Sequence, residues 1–312
     1  AAAPGTPAVA PLSRATVYGL LLVGLLSVSV SSVLAAFIIG DTADGRLGVS
    51  IAFWRCAGGA AALAPFAMRA RSSYPVARED ARRLVAAGVF LALHFALFLG
   101  SLAYTSVASS ATLATMAGVF VAVGGIRYLG ERPDARTWLG IAITMVGAIG
   151  IGAGDLINLE IGGLALAGDA MAFLSAILVA GYLLIARKVR SRVHTATFST
   201  VVYASAALLL LVVCLAIGAP LVTFTSGQWL GLIGMIVFPQ LLGHNIFTTL
   251  LSSVPASVVG VVVLAEPVIA TLLAWWLLTQ APTIWFFLSA PVVLIGLIVA
   301  TARRASAEAL AA

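Results

Sequence analysis

Residues 254–282 read VPASVVGVVVLAEPVIATLLAWWLLTQAP. The run is apolar for longer than the ~20 residues a helix needs to cross a bilayer. An acid and a proline, Glu266 and Pro267, stand near its middle. A carboxylate at the bilayer centre costs roughly 2.5–3.5 kcal/mol on insertion scales. Proline removes a backbone donor and clashes with the carbonyl one turn back, so it kinks a helix. Neither residue suits a helix whose one task is to face lipid. A weaker copy of the stretch, ASSATLATMAGVFVAVGGIRYLGERPDA, occupies residues 108–135. Pro133 and Pro282 hold the same place in the two copies, 149 residues apart.

Composition sets the class. Of 312 residues, 62% are hydrophobic and 9% charged, and the mean hydropathy is +1.14. A soluble domain carries about 25% charged residues, so the chain reads as an all-α, polytopic integral membrane protein. A membrane β-barrel would alternate in segments of about ten residues, whereas these apolar runs are continuous. The net charge of +6 belongs to loops at a membrane face and points to no nucleic-acid partner. The two cysteines, Cys56 and Cys214, lie inside apolar runs and read as small buried hydrophobes. They form neither a disulfide framework nor a metal-ligand cluster, and no cofactor is implied.

The hydropathy pattern predicts ten transmembrane helices, near 16–39, 49–68, 84–103, 107–129, 135–152, 162–186, 197–217, 227–250, 255–279 and 283–301. Residues 1–15 are Ala/Pro-rich at their start and read as a disordered tail. The first apolar run exceeds the roughly 7–15 residues of a signal-peptide core and is expected to stay as a helix. With the N-terminus, the links after even-numbered spans and the C-terminus on one face, that face holds 15 of the 17 Lys and Arg residues. The opposite face has Arg46 as its one base, beside Asp41, Asp44, Asp155, Glu160 and Asp169. The positive-inside rule then places both termini in the cytoplasm of a cell inner (plasma) membrane protein.

The 149-residue offset extends beyond the prolines. It pairs Gly19 with Gly168, Trp54 with Tyr203 and Gly147 with Gly296, and all five span pairs align without a gap. An odd number of spans per repeat inserts the second half upside down. Inverted repeats about an axis in the membrane plane characterise secondary transporters, with substrate near the midplane at the repeat interface. The expected units are a first repeat at 16–152, a linker at 153–161, a second, inverted repeat at 162–302 and a tail at 303–312.

Several segments together carry a family likeness. They are SLAYTSVASSATLATMAGVFVAVGGIRYLGERP followed by TWLGIAITMVGAIGI, then GDAMAFLSAILVAGYLLIARKV, then AEPVIATLLAWWLL. In this order they resemble the drug/metabolite transporter superfamily, specifically its EamA-type members, over about residues 16–302. The resemblance implies ten helices in two sets of five and transport of a small molecule. Within the family the chain is similar to bacterial amino-acid exporters, including the aromatic amino-acid group. It also departs from symmetry. Ala117-Gly118 stand opposite Glu266-Pro267, and Thr279-Gln280 opposite Gly130-Glu131. Such departures weigh against a mechanism that uses paired acids.

Few polar groups lie deep in the spans. The offset sets Gln240 opposite Leu91, one turn before His94, so His94 and Gln240 are expected at matched depth on symmetry-related helices. Gln240 and His244 share a helix face, and Pro239 and Gly243 invite a kink there. Asn245 follows, and Tyr182 and Tyr203 lie deep in their own spans. Glu266 has three readings: a proton or ammonium site, a structural acid beside a kink, or a partner of Arg55. Phe95, Phe98, Met116 and Phe238 are expected to supply apolar wall. Trp275, Trp276 and Trp285 read as an interfacial belt, and Ser27, Ser29, Ser31 and Ser32 as close-packing residues. The expected substrate-binding set is His94, Gln240, His244, Phe98, Met116, Tyr182 and Glu266.

These features point to a secondary transporter that exports small amphipathic metabolites, amino acids first, by alternating access. Its partners would be the solute, the bilayer and, if Glu266 titrates, protons. A ten-helix bundle encloses its own cavity, so a monomer is expected. The other readings are a carrier of other metabolites or drugs, a channel, a membrane enzyme and a passive scaffold. A channel would show charged rings or a filter motif. An enzyme would show a nucleophile–base pair or a metal cluster.

Overall fold

The computed structural model describes residues 13–42, 44–71, 76–158 and 163–301, and every long element in it is a helix. The expected tails lie outside the described residues except for Ser13–Ala15, which cap and begin the first helix, and residues 153–158 of the expected 153–161 linker are not a linker but continue the fifth helix. In hydrocarbon a backbone must satisfy its own polar groups, and helices do this within one segment. In chain order the helices are α1 (Arg14–Ile39), α2 (Gly45–Arg71), α3 (Arg78–Ser101), α4 (Val107–Leu129), α5 (Ala135–Asn158), α6 (Gly163–Arg190), α7 (Thr195–Ile217), α8 (Ser226–Leu250), α9 (Ala256–Leu278) and α10 (Ile284–Thr301). Eight of them are long and apolar enough to cross a membrane, and α5 and α10 contribute the shorter apolar stretches Ala135–Ile151 and Ile284–Ala300.

The helices form two inverted five-helix repeats. Under the 149-residue offset α2 packs on its own twin α7, α4 on α9 and α5 on α10, while the α3–α6 contact is answered by α8–α1. The crossing of α5 and α10 shows the relation at atomic scale. A Cβ on Gly147 would sit 2.7 Å from the Val293 backbone nitrogen, and one on Gly296 would sit 2.5 Å from that of Thr144. Residues 144 and 293 are themselves twins. Small residues let membrane helices approach until backbone touches backbone, which supplies packing that hydrophobicity cannot.

Helices α4 and α9 are each broken once. In α4 the break falls at Met116, between Val107–Thr115 and Ala117–Leu129. In α9 it falls at Leu264 and Ala265, between Ala256–Val263 and Glu266–Leu278. Pro267 lies in the first turn of the second segment, where its missing N–H has no intrahelical acceptor to lose. The expected kink is therefore a restart. Both helices also end alike, on a left-handed residue: Gly130 with φ 69° and its twin Thr279 with φ 56°.

In α8 the expected kink is a π-helical stretch over Ile236–His244 around Pro239. Gly243 presses there against α1, where a Cβ would lie 3.2 Å from the Val28 backbone nitrogen. The basic face of the bundle is tied by ion pairs. Arg192 and Arg83 share Asp80 at 2.9 and 3.0 Å. Arg187 meets Glu131 at 3.0 Å and donates to the Leu251 carbonyl at 2.6 Å. The opposite face is joined by neutral donors on acids and carbonyls. Thr105 donates to Asp169 at 2.7 Å, and the Gln228 amide to the Ile38 carbonyl at 2.8 Å.

Candidate functional site

A cavity lies where the two repeats meet. Twin residues face it in pairs: Phe95 with His244, Phe98 with Phe247, Ala114 with Val263, and Ala117 with Glu266. It therefore straddles the pseudo-twofold axis. The broken helices α4 and α9 reach it at their interruptions, and Gly118 and Gly260 allow their backbones to meet there. Val28 and Ser31 of α1 and Val179, Tyr182 and Leu183 of α6 close the remaining sides.

Arg55 of α2 lines this cavity and is 1% exposed. Its Nε donates to Gln240 Oε1 at 2.8 Å and its Nη1 to Ser31 Oγ at 3.0 Å. The guanidinium lies over the Phe95 ring, 3.8 Å from the centroid. A cation over an aromatic face is worth about 2 kcal/mol when desolvated. Nη2 makes no hydrogen bond to any described residue, and neither does the Gln240 amide nitrogen. Arg55 forms no ion pair with a described acid, although Glu266 lines the same cavity. Glu266, 9% exposed, makes no hydrogen bond to a described residue. It opens the second segment of α9, where the helix dipole favours a negative group. The cavity thus holds one cation and one acid apart from each other.

The remaining polar wall is formed by His94, His244, Tyr182 and Thr248. His94 Nδ1 bonds the Ser175 carbonyl at 3.0 Å, which ties α3 to α6. Its ring stacks on Phe98 with centroids 5.8 Å apart. His244 meets its twin Phe95 edge-on at 5.1 Å. Tyr182 shares a 2.8 Å hydrogen bond with Thr248.

Of the expected set, His94, His244, Phe98, Tyr182 and Glu266 line the cavity, and Gln240 and Met116 do not. Gln240 is fully buried behind Arg55 and acts on the cavity through it. Met116 forms the break in α4. Phe238, expected in the wall, is 48% exposed on the outside of α8. Asn245 accepts from Ser199 at 2.7 Å and Tyr203 is buried outside the lining set. Arg55, weighed in the sequence only as a partner for Glu266, is the addition. Its signal was present, because an arginine inside an apolar span is costly enough to mark function by default.

The EamA-like transporter family profile matches residues 15–153 and again 166–302. One solved structure, described as "Crystal structure of protein", aligns with TM-score 0.71 and 19% identity, covering 95% of this chain and all of that one. At that identity the likeness concerns the fold. No curated protein matches the chain. A double match to one profile, over two halves that fold as inverted repeats around one cavity, makes this chain a member of the EamA-like transporter family, a multi-pass membrane transporter of small molecules.

Proposed function

We propose that the chain is a secondary transporter of the inner (plasma) membrane that exports small amphipathic metabolites, amino acids first, by alternating access around the cavity between the repeats. The observation that carries this reading is the separated charge pair in that cavity. Arg55 and Glu266 are opposite in sign, share one chamber and do not pair with each other. A zwitterion complements both. Its carboxylate takes the guanidinium that Gln240, Ser31 and Phe95 hold in place, and its ammonium takes the Glu266 carboxylate. His94, Phe95, Phe98 and Phe247 leave an aromatic surface for the side chain. Desolvated charges left without partners are expensive, so such a site favours solutes that carry both charges.

Orientation follows from the basic face, which the positive-inside rule puts in the cytoplasm together with both termini. The protein acts as a monomer, since one chain encloses the cavity. Whether Glu266 also exchanges a proton is read from the pH dependence of flux in Glu266→Gln.

The test is uptake and counterflow in proteoliposomes with three matched solutes: an aromatic amino acid, the amine lacking its carboxylate, and the acid lacking its ammonium. Saturable flux of the amino acid, with both truncated solutes transported poorly, is the expected result. Equal flux of all three would remove the zwitterion reading and leave a carrier of other metabolites or drugs. Ionic conductance without saturation would make the protein a channel.

A further inference from the structure

A second cavity opens on the lipid-facing side of the bundle. It is a groove between α3, α4 and α6. Phe90, Phe120 and Ile177 line its apolar length, and Gly124 and Gly181 make room in it. Two cations, Arg83 and Lys188, stand at its mouth. Both belong to helix ends on the basic face, near the start of α3 and in the last turn of α6. From Lys188 back to Ile177 the groove follows α6 for about 16 Å, at roughly 1.5 Å per residue. One leaflet's share of a ~30 Å hydrocarbon core is about the same.

The cations differ in how they are engaged. Arg83 is held by Asp80 at 3.0 Å and by Glu79. Lys188 is exposed and makes no hydrogen bond or ion pair to a described residue. Arg190, two residues on, bonds the Thr248 and Val193 carbonyls and the Thr195 hydroxyl, none of them an acid. The end of α6 therefore keeps positive charge that no described acid compensates.

Any surface that faces lipid is apolar, so apolarity alone says little. The twofold relation supplies the control. Its matching surface lies between α1, α8 and α9 at the opposite face. There Leu273 stands for Gly124, Ile39 for Lys188 and Leu232 for Arg83. The cations and the room-making glycine thus occur in one copy, and it is the copy whose mouth lies on the basic face.

We propose that this groove binds an anionic glycerophospholipid of the cytoplasmic leaflet, with its phosphate at Lys188 and Arg83 and one acyl chain along Phe90, Phe120 and Ile177. The leaflet rests on the orientation proposed above. Basic pockets between helices on the cytoplasmic side suit anionic headgroups by the same physics. The lipid touches the transport machinery through α6, which turns Tyr182 and Leu183 to the central cavity and Ile177 and Leu184 to the groove.

The test uses the full chain purified in neutral detergent. Thermal unfolding and native mass spectrometry are followed with phosphatidylglycerol or phosphatidylcholine of identical acyl chains. Phosphatidylglycerol is expected to raise Tm and form adducts well beyond phosphatidylcholine. Lys188→Gln should weaken phosphatidylglycerol binding about fivefold and leave phosphatidylcholine unchanged. Gly124→Leu installs the other repeat's residue and should reduce adducts of both lipids. The Cβ it adds meets the methyl end of Leu184, which can rotate away. Equal stabilisation of the wild type by both lipids would overturn the proposal, and so would unchanged lipid selectivity in Lys188→Gln. If Gly124→Leu does not fold, the Lys188→Gln comparison decides alone. Solute flux is not read here, so this result and the transport result fail independently.

Discussion

The amide of Gly130 closes the end of α4 on the carbonyl of Gly125, and the amide of Thr279 closes the end of α9 on the carbonyl of Ala274. All four positions are twins. The polar residues around the cavity are not. Arg55 has Ala204 as its twin, Glu266 has Ala117, Gln240 has Leu91, and His94 has Gly243. The two repeats keep one backbone scaffold and place different chemistry on it. A packing contact between backbones constrains both halves alike, because the same crossing is made from each side. The proposed zwitterionic solute has two unlike ends, so a site for it would have no reason to stay symmetric. The break in α9 carries an acid where the break in α4 carries alanine, and the π-helical stretch in α8 has no counterpart in α3.

The largest effect should come from the scaffold, and it should be equal at twin positions. Gly147→Leu and Gly296→Leu each force a side chain into backbone of the facing helix. Both should abolish monodisperse protein in size-exclusion profiles to the same extent. A tolerated substitution in one half alone would break the symmetry of the α5–α10 crossing.

At the site, twin positions should respond unequally. Arg55→Gln removes the cation and should raise the half-saturation constant for a zwitterionic solute by at least about 30-fold, the cost of truncating one partner of a buried charge contact. Adding the cation at the twin position, with Ala204→Arg in the Arg55→Gln background, should not restore transport. Restoration would show that the halves are interchangeable. Gln240→Ala should act through Arg55, so its effect should not add to that of Arg55→Gln.

A smaller effect is expected at Glu266. The Glu266→Gln variant keeps the shape of the side chain and removes its charge. It should raise the half-saturation constant for the zwitterion about tenfold and leave flux of the deaminated acid unchanged. Equal losses for both solutes would reassign the acid to structure.

The smallest effect concerns Thr279, which holds the left-handed conformation that its twin fills with glycine. Its hydroxyl donates to the Leu278 carbonyl at 2.7 Å and offsets part of the strain. Thr279→Gly should stabilise the fold by about 1 kcal/mol, read as a rise in Tm, and Gly130→Thr should lower it by a similar amount.

Membrane class, ten helices, their order and the repeat were determined by the sequence alone, because run length, charge placement and spacing are properties of the chain taken in order. The resemblance to EamA-type transporters lay in the same segments. Glu266-Pro267 marked the break in α9, whereas nothing at Met116 marked the break in α4. Counting residues also placed His94, His244, Phe98 and Tyr182 at cavity depth, but depth is only one of two coordinates. Rotation about the helix axis decides whether a side chain meets the cavity, a neighbour or lipid. In α8 the π-helical turn spreads its hydrogen bonds over an extra residue, so a 3.6-residue count cannot carry the facing of Phe238, Gln240 and His244 through it. Tertiary structure alone decided that Phe238 turns outward, that Gln240 braces Arg55, and that Arg55 and Glu266 share one chamber. Each of these depends on which helices pack together and at what rotation, and long-range packing sets both.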